Sequence, residues 1–220
     1  MPNELIFFFE ILIVFSLVLM SYKLFGKFGL LAWGTVAAIT ANIETIKNVD
    51  MFGVNTTLGT IMFSSIFLVT DILTECYGAK EARREVWLSL FCSIAFLICS
   101  QLTLLYTAST IDFADESLRQ ILNINLRVTC ASLLMFLVAN MADVMLYEKL
   151  RIKTRGKRIW LRNNLATISC NCLENFFFVF LAFYGMFTFS ECIEIALSTS
   201  LIEIIASLCD TPFLYLALKD

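Results

Sequence analysis

Seven apolar stretches, each 18–25 residues long, recur along this chain of 220 residues: about 5–22, 28–46, 57–77, 86–108, 125–147, 163–187 and 195–218. At 1.5 Å per helical residue, each is long enough to cross a hydrocarbon slab of about 30 Å. Lipid offers no partners to backbone amides, so such segments satisfy themselves as helices. Composition agrees: 59% of residues are apolar and 16% charged, with 21 Phe and two Pro, and mean hydropathy is +0.81. Soluble domains run at about 45–50% apolar and about 25% charged. A cytosolic enzyme, a disordered chain and a nucleic-acid binder are excluded, because no soluble sphere of this size hides so much apolar surface. The expected fold class is an all-α integral membrane protein with about seven transmembrane helices and no linker that divides it. Glu4 precedes the first stretch without any Lys or Arg, and no A-x-A site follows, so that stretch reads as a retained helix.

Charge tests the count. The first, third and fifth connections hold Lys23 and Lys27; Lys80, Arg83 and Arg84; and, over 149–162, Lys149, Arg151, Lys153, Arg155, Lys157, Arg158 and Arg162. The even connections hold Lys47 and Arg119, the latter in an acidic loop with Asp112, Asp115 and Glu116. By the positive-inside rule the odd connections face the cytoplasm, the N-terminus lies outside and the C-terminus inside. The basic loop over 149–162 reads as a topology-fixing segment. Trp33, Trp87 and Trp160 fall near cytoplasmic span ends, as interfacial anchors do.

Ionisable residues inside spans cost about 2.5–3.5 kcal/mol each on insertion scales, so they face partners or a wet cavity. Helical spacing groups them. Ser64, Phe67, Asp71 and Glu75 share one stripe; so do Thr129, Leu133, Phe136, Asn140, Asp143 and Tyr147; Asn164, Thr167, Asn171, Glu174 and Phe178; and Thr199, Glu203, Ser207 and Asp210. Four such faces meeting would enclose a polar cavity. Glu174 and Glu203 fall at mid-span. Asp71, Glu75, Asp143 and Asp210 fall toward the cytoplasmic end, and Asn42, Lys47 and Arg127 toward the outer end. Asp71 and Asp143 have a second reading, as helix caps or as partners of Arg83 and Arg84. Arg127 reads as a residue that snorkels outward.

Carboxylates accept hydrogen bonds, amides donate and accept, and Phe67, Phe176, Phe177 and Phe178 offer flat surfaces, so a planar heterocycle rich in N–H groups suits such a site. No catalytic constellation is present: there is no Ser/His pair, HExxH or P-loop. His is absent, and the eight Cys include only a lone Cys170-x-Cys172 pair that points to different helix faces, so no metal site or cofactor is expected.

The run Ser65-Ile-Phe-Leu-Val-Thr-Asp71-Ile-Leu-Thr-Glu75-Cys-Tyr-Gly78-Ala-Lys-Glu-Ala-Arg83-Arg84 resembles the signature of the queuosine precursor transporter (VUT-type) family. Ala41-Asn42-Ile43, Lys47, Phe52-Gly53, Trp160-Leu-Arg162-Asn163-Asn164 and Asp210-Thr211-Pro212 agree with it in order, over roughly residues 28–217. The resemblance implies a bacterial inner-membrane importer, not an enzyme. Its cargo would be a 7-deazaguanine base such as 7-cyano- or 7-aminomethyl-7-deazaguanine or queuine, moved by alternating access. It also implies a single six-helix core over 28–220, similar to the vitamin-binding S-components of energy-coupling-factor transporters, with 1–27 as an extra helix and loop. The substrate would meet Glu174, Asn171, Asn175 and Glu203 at mid-depth, stack on Phe67 or Phe178, and pass Asn42 and Lys47 in the outer half. Asp71, Glu75, Asp143, Asp210 and Asn164 would line the rest of the path. Family members often carry Gln and Asp-Thr where this chain has Asn171 and Glu174-Asn175, and Lys where it has Glu203; that reversal of charge favours a more cationic base. The implied partners are the base and the bilayer, and no nucleic acid. A homo-oligomer stays open. So does an embedded binding subunit with a separate ATPase module, for which Ala37-x-x-x-Ala41 is a docking candidate, and so does transport of another small heterocycle.

Overall fold

The computed structural model describes residues 2–122, 126–155 and 157–219. Eight helices are formed among them: α1 (Asn3–Phe25), α2 (Lys27–Glu44), α3 (Thr60–Cys76), α4 (Ala79–Leu104), α5 (Asp115–Leu122), α6 (Leu126–Lys153), α7 (Ile159–Phe183) and α8 (Phe189–Ala217). A short hairpin, β1 (Asn48–Met51) and β2 (Val54–Thr57), joins α2 to α3. Five helices, α1, α4, α6, α7 and α8, are long and apolar enough to cross a membrane. The fold is therefore a helical multi-pass membrane bundle.

The expected segment boundaries shift for local reasons. Residues 45–57 belong to a turn and the hairpin rather than to helices. Phe52 and Gly53 take positive φ (54° and 78°), as a two-residue hairpin turn whose twist matches its strands requires. The acidic connection contains α5, whose start is tied by the Asp112 carboxylate accepting from the amides of Ala114 and Asp115 (2.7 and 2.8 Å). In α5, Asp115 accepts from Arg119 (2.7 Å), which pushes the guanidinium pKa further above its ordinary value. Helix α8 starts at Phe189 rather than near 195, because Thr188 and Glu191 form a reciprocal capping box. The basic connection shrinks to about 154–158, since α6 runs on to Lys153 and α7 begins at Ile159. Residue 125, an expected span start, lies outside the described residues, as does the side chain of Arg127.

Helix α3 is the spine. Fourteen of its 17 residues are buried, and it packs on α1, α2, α4, α6 and α8. The other long helices bury one face and turn the rest outward: Leu12, Phe91, Leu134, Leu173 and Leu201 are all exposed. Such an apolar exterior is what lipid requires. Ala37 and Ala41 are fully buried inside this chain, so the small-residue pair is consumed by internal packing. Trp33 is also drawn inward, with its indole N–H donating to Ser65 Oγ (3.0 Å), whereas Trp87 and Trp160 are exposed. The N-terminal end of α1 holds the hairpin. Asn3 donates to the Asp50 carbonyl (2.8 Å), Glu4 accepts from the Phe52 amide (3.1 Å), and Phe7 meets Phe52 edge-on at 5.8 Å.

Gly59 opens α3 at φ +94°, and a Cβ there would stand 2.7 Å from the Ala41 carbonyl oxygen. Gly59→Ala is expected to destabilise the protein by about 1–3 kcal/mol through backbone strain and that clash, read as a lower thermal midpoint in detergent. A melt equal to the parent's would refute the tight α2–α3 junction.

Candidate functional site

The four polar stripes do meet. A cavity of about 410 Å³ lies between α2, α3, α4, α6, α7 and α8, at the end of the bundle where α2, α4 and α7 finish and α3, α6 and α8 begin. Its walls are largely apolar, and Ile46, Leu58 and the α5 residues Gln120, Ile121 and Leu122 border it. Into it project Ser64 and Phe67 of α3, Thr129 and Leu133 of α6, Asn171, Glu174 and Phe178 of α7, and Thr199 and Glu203 of α8. The i, i+3/i+4 spacing explains why: one turn places each successive member on the same side of its helix.

Hydrogen bonds orient this wall. Asn175 donates to Glu203 Oε2 (2.6 Å) and to Ser200 Oγ (3.3 Å), which fixes the Glu203 carboxylate against α7. Ser132 of α6 donates to Asn42 Oδ1 (3.1 Å), while Asn42 donates back along α2 to the Ala38 carbonyl (2.7 Å). Glu174 makes no side-chain hydrogen bond among the described residues, and Asn171 Oδ1 is buried without a partner. The cavity thus carries one carboxylate already held by an amide, one free to accept, and an unclaimed carbonyl oxygen.

The opposite half of the bundle is packed shut around a second polar group. Asp71, Asp143 and Asp210, from α3, α6 and α8, are all fully buried. Asp210 accepts from Asn163 Nδ2 (2.6 Å), and Asp143 from Thr167 (3.3 Å). Asn163 and Asn164 both donate to Thr211 (3.2 and 2.8 Å). Glu75 is paired with Arg162 of α7, and also with Arg151 of α6 (3.4 Å), whose guanidinium further donates to the Thr74 and Glu75 carbonyls (2.9 and 3.2 Å). Arg162 is 1% exposed and lies over the Tyr147 ring at 5.6 Å. No group of three His, Cys, Asp or Glu among the described residues is placed to hold a metal ion.

Of the residues singled out as substrate contacts, Asn42, Phe67, Asn171, Glu174, Asn175, Phe178 and Glu203 all line the cavity. Lys47 does not; it is exposed on the segment leading into the hairpin, because α2 ends three residues earlier. Phe176 and Phe177 face outward at 44% and 52% exposure, so Phe178 alone of that run reaches the cavity. The path residues Asp71, Glu75, Asp143, Asp210 and Asn164 gather in the closed half, not at the cavity. The alternative pairing of Asp71 or Asp143 with Arg83 and Arg84 is not made. Arg83 bonds Glu148 (2.8 Å) and Arg84 approaches Glu81 (4.0 Å).

Three buried groups escaped the sequence reading. Arg162 belongs to helix α7 and not to the basic connection: Arg162, Ala166 and Cys170 follow one another at i+4 on the buried face of α7. Asn163 is buried against Asp210. Glu85 of α4 is fully buried, accepts from Ser89 (2.5 Å), and fits only because Gly34 of α2 has no side chain to meet it. Its place one residue before an expected span hid it.

Residues 57–217 match the family described as "Putative vitamin uptake transporter". A protein of Bacillus subtilis (strain 168) named "Probable queuosine precursor transporter" is 36% identical over all 220 residues, which cover 96% of its length. A Haemophilus influenzae protein of the same name is 26% identical over 146 residues, 66% of this chain and 60% of that one. The Escherichia coli (strain K12) "Queuosine precursor transporter" is 28% identical over 168 residues, 73% and 71% of the two chains. No solved structure matches.

Arg162→Ala would leave Glu75 in the closed half with only the partly exposed Arg151 beside it. A loss of about 3–5 kcal/mol is expected, and the Arg162→Ala, Glu75→Gln pair should lose clearly less than the sum of the two single changes, as measured by unfolding in detergent. Additive losses would mean that the two side chains act independently.

Proposed function

The chain belongs to the vitamin-uptake-transporter family that includes the queuosine precursor transporters, and from that premise we propose that it imports a 7-deazaguanine base across a bacterial inner membrane. The observation that carries the reading is the cavity, where the carboxylates of Glu174 and Glu203, the amides of Asn42, Asn171 and Asn175 and the rings of Phe67 and Phe178 converge inside an otherwise apolar bundle. Its volume of about 410 Å³ falls within the range of about 300–1,000 Å³ usual for small-molecule sites. A 7-deazaguanine is planar and presents N1–H and an exocyclic amine side by side. Glu174, with no side-chain partner of its own, accepts both; charge-assisted bonds of this kind are the strong ones. Asn171 Oδ1 is a further acceptor, and Phe67 or Phe178 stacks on the ring. Glu203, held by Asn175, faces the 7-substituent, where a carboxylate favours a protonated aminomethyl group over a neutral cyano group.

Transport proceeds by alternating access. The bundle crosses the membrane seven times, with α2 and α3 added to the five longer helices. Although α3 is only about 26 Å long at 1.5 Å per residue, its burial among neighbours spares it contact with lipid. The core is α2–α4 with α6–α8, and α1 is the additional helix. The basic residues of the α1–α2, α3–α4 and α6–α7 connections stand at the closed end, which supports a cytoplasmic closed end, an outward-facing cavity, an external N-terminus and an internal C-terminus.

Direct binding by calorimetry tests this with the two deazaguanine precursors, queuine, guanine and riboflavin. One deazaguanine should bind tightly. Glu174→Gln should weaken it about 10- to 100-fold, the equivalent of about 1.5–3 kcal/mol for a bond to a charged group, while Lys47→Ala should stay within about twofold. Glu203→Lys should shift preference from the aminomethyl toward the cyano base. No binding of any deazaguanine would reject the cargo, and an unaffected Glu174→Gln would move the base elsewhere.

A further inference from the structure

We propose that the closed half is a second site, one that takes up a proton, and that Asp71, Asp143 and Asp210 share it. Base movement is thereby coupled to a proton gradient. The import reading above left the driving force open, and this inference rests on that reading only for its flux experiment.

Four carboxylates, Asp71, Glu75, Asp143 and Asp210, are enclosed with two guanidinium groups, Arg151 and Arg162. Both arginines are committed to Glu75, and Arg151 is partly exposed. Even when both are counted in full, two negative charges remain uncompensated. Leaving a bare carboxylate in an apolar interior costs several kcal/mol after relaxation, and proteins relieve that cost by neutralising the group.

Hydrogen bonding sharpens the argument. Both oxygens of Asp71, Oδ2 of Asp143 and Oδ2 of Asp210 are buried with no partner among the described residues. Three helices therefore bring unclaimed carboxylate oxygens into one shell, in which Asp71 lies within electrostatic reach of Asp143, Asp210, Glu75 and Arg162. The remaining titratable groups around that shell are Tyr147 of α6 and Cys170 of α7, both within reach of Asp71, and Cys209 of α8 beside Asp210. From the other side of α3, the Glu85 carboxylate of α4 is turned toward Gly34 and Ser89. Among the described residues, no group of three His, Cys, Asp or Glu is placed to hold a metal ion.

Geometry also links this site to the cavity. Cys170 lies within reach of Asp71 and Asp143 on one side and of Glu174 on the other. The stripes that line the cavity with Phe67, Glu174 and Glu203 continue along the same helices to Asp71, Thr167 and Asp210. A charge change in one tier is therefore felt in the other through less than two helical turns.

Two measurements on the full chain test this. Infrared difference spectra in detergent at neutral pH need no substrate. A protonated carboxyl C=O band should be present, and Asp71→Asn, Asp143→Asn or Asp210→Asn should each diminish it. No such band, or an unchanged band in every variant that folds, overturns the proposal. The second measurement uses liposomes with a trapped pH dye and the deazaguanine that binds in the assay above. An inward proton gradient of one pH unit should raise base accumulation about tenfold for one proton per base, with acidification inside, and Asp143→Asn should abolish that gain while still binding base. Uptake indifferent to the proton gradient, or driven instead by a sodium gradient, overturns it. If no base binds at all, the cargo assignment falls and the infrared result still decides the proton site.

Discussion

Charge carried into a low-dielectric bundle must be answered within it. Helix α3 sets that demand, because it is buried on nearly every side and carries Asp71 and Glu75 in its last turns. The surrounding elements are arranged to meet it. Helix α7 begins with Arg162 and α6 ends with Tyr147 and Arg151, which answer Glu75, whereas α8 brings a further carboxylate, Asp210, held by Asn163. The salt bridge between Glu75 and Arg162 ties the end of α3 to the start of α7, two elements that otherwise touch little. Its electrostatic gain is offset by desolvation, so its contribution lies more in register than in net stability.

With one half of the bundle committed to charge, the other half is left to enclose space. The helices separate there enough to leave the cavity, and the charged groups that line it are fewer, with Glu203 already fixed by Asn175. The two tiers are built from the same four stripes and differ in what fills the gap between them: packed side chains in one, an open cavity in the other. A transporter needs both, a place where cargo fits and a place that is closed when the cargo enters.

Much of this was legible in the residues because helical periodicity is a strong signal in long apolar segments. Ser64–Glu75, Thr129–Tyr147, Asn164–Phe178 and Thr199–Asp210 each form one face in the structure as their spacing implied. What periodicity could not show was where a helix stops. Lys47 looked like the outer end of a helix, but the Phe52-Gly53 turn folds that segment into a hairpin and carries it to the surface. Arg162 looked like one more basic loop residue, because the rule that counts loop charges does not know that α7 starts at Ile159. Glu85 was invisible for a related reason: its pocket depends on an absent side chain, Gly34, on a different helix. All seven apolar stretches could be read from the sequence, α2 and α3 among them, although only the other five form helices that are by themselves long and apolar enough to cross a membrane.

The burial of α3 also bears on biogenesis. A helix of 17 residues with two carboxylates near one end partitions poorly into lipid by itself. Its flanking helices are long or small-residue-rich, and α2 and α4 are its immediate neighbours both in sequence and in space. Helix α3 is therefore flanked by shielding neighbours on both sides of it in the chain. Helices α6 and α7, which carry Arg151 and Arg162, follow α3 in the chain, so vectorial synthesis makes Glu75 before either of its partners.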